Sequence, residues 1–174
     1  MQSQFNSIAQ SLNLPMVCIF ALIILVGWAL FSASSNLNIR RIGFVLLIVV
    51  TLAILYITIF SRSRINASVH PVPFSTFQRA KVYSGLYIYM VLNMIMFMPV
   101  GFTFPFVLYG KPVKRILWTI VLGFLLSIFI EAIQEIFSIG YADIDDVIVN
   151  TLGTAIGSFS YLLSLMFTKL KKKS

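Results

Sequence analysis

The strongest constraint on the fold is a series of apolar runs, each long enough to cross a bilayer as a helix. A spanning helix needs about 20 mainly apolar residues. Such runs occupy residues 15–33, 42–60, 84–108, 116–137 and 147–167. With 59% hydrophobic and 10% charged residues, a chain of 174 leaves no room for a separate soluble domain. We therefore predict an all-α, polytopic membrane bundle of about five transmembrane helices, forming a single domain over residues 1–174.

The basic residues lie in short clusters between these runs, and their distribution predicts the orientation of the chain. A formal net charge of +8 divided in this way is typical of membrane topology and not of a nucleic-acid surface. With the C-terminus inside, nine Lys and Arg residues face the cytoplasm, against four between residues 62 and 83. We predict an outside N-terminus, a cytoplasmic basic tail at 168–174 and no nucleic-acid partner.

All five acidic residues fall within sixteen positions, from Glu131 to Asp146, in surroundings that are otherwise apolar. Ionisable groups near bilayer depth are costly, so by default they indicate a functional site. Helical spacing puts polar and small side chains on one stripe of the fourth span and on one stripe of the fifth. The first stripe is Gly123, Ser127, Glu131 and Glu135, with Gln134 three positions beyond Glu131, and the second is Asp146, Asn150, Gly153 and Gly157. We predict that they face each other, with the Gly-x-x-x-Gly spacing allowing two backbones to approach closely.

Two interpretations of the acidic residues remain open. In the structural one, Asp143 caps the fifth helix, Asp145 and Asp146 lie at its positive end, and Asn150 bonds to Gln134. This interpretation explains the aspartates better than it explains Glu131, because a cap needs only one carboxylate.

In the functional interpretation, Glu131, Asp143 and Asp146 converge in an acidic pocket that opens outward. Repulsion between close carboxylates must be relieved by a proton, a divalent cation or a basic partner. The three acids are therefore candidate metal ligands, although the sequence establishes no cofactor. Arg62, on the same side by the predicted topology, is a candidate for balancing their charge, and Arg64 is an alternative.

The third span carries the polar and helix-breaking residues expected to line this pocket. Asn93 contributes an amide, and Pro99 is predicted to kink or end the helix near Met98 because it lacks a backbone N–H. Pro99 and Gly101 would then shape the pocket wall. The polar connection between residues 62 and 83 contains two prolines and is predicted to be a loop at headgroup level.

Four pieces of the sequence, in order, resemble the VanZ-like family of small bacterial membrane proteins. They are Phe60-Ser-Arg62, Pro73-Phe74, Asn93-x-x-x-Phe97-x-Pro99-x-Gly101, and Glu131-x-x-Gln134 followed by Asp143-Ile-Asp145-Asp146-Val-Ile-Val-Asn150-Thr-Leu-Gly153. The last piece is the most specific, and the resemblance covers about residues 56–160. It implies a multi-pass plasma-membrane protein linked to reduced susceptibility to glycopeptides of the teicoplanin and lipoglycopeptide type. It implies no particular reaction.

The leading hypothesis is that a pocket formed by Glu131, Gln134, Asp143, Asp146 and Asn150 lowers the access of lipophilic glycopeptides to the membrane or to wall precursors. The expected partners are membrane lipids, together with a lipophilic glycopeptide or a cell-wall precursor lipid. One alternative is a metal-dependent membrane enzyme acting on a phosphate-bearing envelope lipid. Another is a small transporter that uses the broken third helix and Glu131 as a proton relay. The sequence does not separate an enzyme from a non-enzyme.

Overall fold

A computed structural model describes residues 14–34, 38–60, 72–140 and 142–172. These residues form helices and no strand. The helices are α1 (Leu14–Ser34), α2 (Ile39–Leu55, continued by a π-helical turn at Tyr56–Phe60), α3 (Ser75–Ala80), α4 (Ser84–Val107), α5 (Pro112–Phe137) and α6 (Ile144–Lys171). All except α3 are long and apolar enough to cross a membrane. The predicted all-α bundle of five spans is therefore confirmed.

The turn between α5 and α6 shows how local sequence sets the helix ends. Helix α5 begins at Pro112, where a missing N–H is harmless, and ends at Ser138 in the left-handed conformation with φ 53°. Helix α6 begins after Asp143, whose side chain accepts the N–H of Asp145. The aspartate cap predicted from the sequence is thus confirmed, and the short connection makes α5 and α6 antiparallel neighbours.

Helices α4 and α6 pack backbone against backbone at the centre of the bundle. A Cβ atom added to Gly153 would overlap the carbonyl oxygen of Met94, and one added to Gly157 would overlap that of Met98. The reciprocal residue on α4 is Gly101, where a Cβ would overlap the Thr154 carbonyl oxygen. The close approach predicted for the Gly-x-x-x-Gly spacing is confirmed.

The partner predicted for these two glycines is wrong, because they face the third span and not the fourth. Part of the two predicted stripes does meet: Gly123 of α5 lies against the Thr154 side chain, and Ser127 bonds to Asn150. Glu135, which was predicted on the same stripe of α5, is exposed instead. Helix α6 therefore uses two adjacent faces. The glycine face admits the α4 backbone, and the hydroxyl and amide face meets α5.

Helix α4 is continuous from Ser84 to Val107 and contains Pro99 and Pro105 in its interior. It does not end near Met98, so the broken third helix assumed in the transporter hypothesis is absent. Packing explains why the helix persists: Phe97 and Val100, on either side of Pro99, are fully buried in a cluster with Ile54 and Ile130. Membrane helices tolerate proline where neighbouring helices surround it in this way.

The bundle has two chemically different ends. The acidic end consists of residues 56–60, 72–93, 131–140 and 142–150, and it carries all five Asp and Glu residues. The basic end consists of residues 38–45, 107–119 and 161–172. Two cation–π contacts connect these segments. The Arg40 guanidinium lies 3.0 Å from the centroid of the Tyr109 ring, and the Arg115 guanidinium lies 5.6 Å from the centroid of the Tyr161 ring. Which end faces outward remains a prediction from the basic residues.

The α4–α6 contact gives a direct prediction. Gly153→Ala is expected to lower the free energy of unfolding by about 1–3 kcal/mol, since the new methyl group must displace the Met94 carbonyl. Gly27→Ala in α1 is the matched control, because no atom lies within 4 Å of its added Cβ. Thermal unfolding of both variants in detergent checks this. Equal melting temperatures for the two variants would contradict the packing described here.

Candidate functional site

Glu131 and Asp143 are joined at the turn between α5 and α6. The backbone N–H of Asp143 donates to Glu131 Oε2 over 2.9 Å, and Asp143 Oδ1 in turn accepts the N–H of Asp145 over 2.9 Å. Both side chains are at most 9% exposed. Two of the predicted site residues are therefore brought together, and Glu131 holds the start of α6 against the end of α5.

Asp145 is the most deeply buried of the acidic residues, with no exposed surface. Its Oδ1 accepts the N–H of Phe74 over 2.6 Å, and its Oδ2 accepts the N–H of Thr76 over 2.7 Å. Phe74 has φ 66°, a left-handed conformation that is unusual for a residue other than glycine. This carboxylate thus satisfies two backbone donors at the start of α3 and ties residues 72–83 to α6.

Asp145 is not among the site residues predicted from the sequence. One sequence signal could have pointed to this contact: the Pro73-Phe74 pair directly precedes a short polar stretch. A helix that starts there has backbone N–H groups that need an acceptor. Nothing in the sequence identified which of the three aspartates would supply that acceptor.

Arg79 is the basic residue that the described part of the chain places beside the acidic cluster. Its Nη2 donates to Thr76 Oγ1 over 2.6 Å and lies 3.6 Å from Asp143 Oδ2. Thr76 Oγ1 donates a short hydrogen bond to that same Asp143 oxygen. Arg79 therefore occupies the charge-balancing position for which the sequence analysis named Arg62. Arg62 and Arg64 lie outside the described residues.

Asp146 is 2% exposed and faces α4. Its Oδ2 accepts a hydrogen bond of 2.9 Å from the Tyr89 hydroxyl, which the sequence analysis did not single out. Asn93, one turn further along α4, is also buried, with 7% exposure. Helix α4 thus adds a phenol to the cluster, and the place of Asn93 in the pocket remains a prediction.

Gln134 and Asn150 do not bond to each other, so that predicted contact is wrong. Asn150 Nδ2 donates to Ser127 Oγ over 2.9 Å, whereas Gln134 Nε2 donates to the Thr58 carbonyl oxygen over 3.1 Å. Thr58 lies in the π-helical turn that ends α2, and this turn brings α2 into the cluster. Within the described chain, Gln134 Oε1 and Asn150 Oδ1 are buried acceptors without a hydrogen-bond donor.

Four of the five acidic residues are buried in the described part of the chain, and an open pocket at this end remains a prediction. Glu131, Asp143 and Asp146 are each at most 9% exposed, and α3 lies against α4 and α6. In the parts of the chain that the structure describes, no three His, Cys, Asp or Glu side chains are grouped so as to hold a metal ion. The carboxylates of Asp143 and Asp146 accept from different donors. A divalent cation at these three residues therefore remains a prediction.

The fold and the cluster together define a small multi-pass membrane protein that collects its acidic residues at one end of the bundle. A comparison with protein families gave a match to the VanZ/LLP1 family over residues 16–167. The chain belongs to this family, and membership links it in general terms to antibiotic resistance. The match is longer than the resemblance over residues 56–160 and includes α1. Searches of curated proteins and of solved structures gave no match.

The contact between Asp145 and α3 is testable by replacing the carboxylate with an amide of the same shape. Asp145→Asn is expected to weaken two charge-assisted hydrogen bonds, so local opening of residues 72–83 becomes easier by about 2–3 kcal/mol. Hydrogen exchange at residues 74–80 measures this. Glu135→Gln is the control, because Glu135 is exposed and undergoes the same chemical change. Unchanged exchange in Asp145→Asn would contradict the assignment.

Proposed function

We propose that the protein lowers susceptibility to lipophilic glycopeptide and lipoglycopeptide antibiotics by binding the drug, or the wall precursor lipid that the drug recognises, at the acidic end of the bundle. Family membership supports the general link to resistance. The positive-inside distribution supports an outward acidic end, where such drugs and precursors meet the membrane.

The observation that carries this proposal is the pair of buried amide oxygens, Gln134 Oε1 and Asn150 Oδ1, which lack donors among the described residues. A buried acceptor without a partner costs about 1–3 kcal/mol. Such groups need an explanation, for example a water or ligand that completes the hydrogen bond. Gln134 lies one helical turn from Glu131 on α5, and Asn150 lies one helical turn from Asp146 on α6. Glycopeptides and peptide-bearing precursor lipids are rich in N–H and O–H donors that suit these oxygens.

Residues 72–83 supply the approach to this cluster. They cover the carboxylates and are fixed by hydrogen bonds to Asp143 and Asp145. Phe74 is 57% exposed, and its ring centroid lies 5.8 Å from that of Phe77. Aromatic side chains at the level of the headgroups favour contact with lipid chains. We propose that the lipophilic part of the ligand docks on these rings and its polar part reaches the cluster when residues 72–83 move outward.

Susceptibility testing of complemented deletion strains examines this proposal. Strains producing Glu131→Gln or Asp146→Asn are expected to show the drug susceptibility of the deletion strain, because each change alters a buried carboxylate of the cluster. Glu135→Gln should protect as the wild type does. Immunoblots of the membrane fraction ensure that all variants are present in equal amounts.

Full protection by both cluster variants would contradict the proposal. A second measurement distinguishes the metal-dependent alternative: chelation of purified protein followed by metal analysis. If the wild type holds a stoichiometric metal and Glu131→Gln does not, the metal-dependent enzyme hypothesis is favoured over simple binding.

A further inference from the structure

A separate, open surface cavity of about 510 Å³ lies at the basic end, far from the acidic cluster. It is formed by the first two turns of α2 and the last turn of α4, and its lining residues are Arg40, Arg41, Phe44, Val45 and Val107. On α2, each arginine is four positions from an apolar residue, so Arg40 shares a face with Phe44 and Arg41 with Val45. The cavity therefore joins a cationic rim to an apolar wall.

Among the described residues, no carboxylate lies near the two guanidinium groups to neutralise them. All five acidic residues of the chain lie at the other end, and the ion pair found among the described residues, Arg79 with Asp143, is also there. The Tyr109 ring orients Arg40 without cancelling its charge. The N-terminus of α2 adds the positive end of a helix dipole beside both side chains. The rim is therefore positively charged and complementary to an anion.

The position of the cavity along the bundle selects the kind of anion. The uncharged part of the span formed by α2 begins at Ile42, just after Arg41, so the rim lies at headgroup level and the apolar wall at the level of the lipid chains. Phe44 and Val45 are both more than half exposed and face this level. Arginine binds phosphate through two parallel hydrogen bonds, with a fixed geometry.

We infer that this cavity binds an anionic phospholipid, with the phosphate on Arg40 and Arg41 and an acyl chain along Phe44, Val45 and Val107. The inference does not depend on the proposed function, because it concerns the opposite end of the bundle and uses none of the same residues.

Lipid binding by the full-length protein in detergent tests the inference. Phosphatidylglycerol and phosphatidylcholine with identical acyl chains are titrated, and retained lipid is counted by native mass spectrometry. Arg40→Gln/Arg41→Gln is expected to weaken phosphatidylglycerol binding by about tenfold or more. The matched control Lys169→Gln/Lys171→Gln removes the same charge from exposed positions at the same end, outside the cavity, and should bind as the wild type does.

A second variant keeps the test decisive if the double arginine variant does not fold. Val45→Trp places an indole ring in the cavity while leaving both arginines in place, and it is expected to weaken phosphatidylglycerol binding as well. Wild-type binding by either cavity variant, an equal loss in the lysine control, or equal retention of phosphatidylcholine would overturn the inference. Complete displacement of the lipid by inorganic phosphate would also overturn it, because the apolar wall would then contribute nothing.

Discussion

The structure depends on the way in which carboxylates are kept inside an apolar bundle. Burial of a charged group without partners is prohibitively costly, so each carboxylate must be met by donors. Asp145 accepts two backbone N–H groups from residues 74 and 76, Asp143 accepts one from α6, and Glu131 accepts the N–H of Asp143. These donors lie at the starts of helices α3 and α6, where backbone N–H groups have no acceptor within the helix. The same contacts therefore stabilise the acids and connect α3, α5 and α6.

The glycine contact between α4 and α6 sets the position of this cluster. Because Gly153 and Gly157 allow the α4 backbone to touch α6, residues earlier on both helices are also drawn together. Tyr89 consequently reaches Asp146 over 2.9 Å. Helix α6 thus carries both the glycine contact with α4 and the polar residues of the cluster. A substitution at the glycine contact is therefore expected to displace the polar residues as well.

The sequence predicted much of this fold because its main signals are local. Span-length apolar runs, the Asp143 cap and the Gly-x-x-x-Gly approach each depend on residues close together in the chain, and all are confirmed. The pairings that build the site join distant residues: Phe74 with Asp145 across 71 positions, and Tyr89 with Asp146 across 57. Helical spacing shows which residues share a face but not which helix meets that face. This is why the partner of the two glycines, the Asn150 contact and the role of Arg79 were missed.

We propose that the carboxylate-rich end of the bundle faces the outside of the cell, where its ligand arrives. The decisive measurement is labelling of intact cells with a membrane-impermeant maleimide, in a Cys18→Ser background carrying either Lys81→Cys at the acidic end or Lys172→Cys at the basic end, both at exposed positions. We expect Lys81→Cys to be labelled in intact cells and Lys172→Cys to be labelled only after the cells are opened. The reverse pattern would place the carboxylates at the cytoplasmic face and contradict the account.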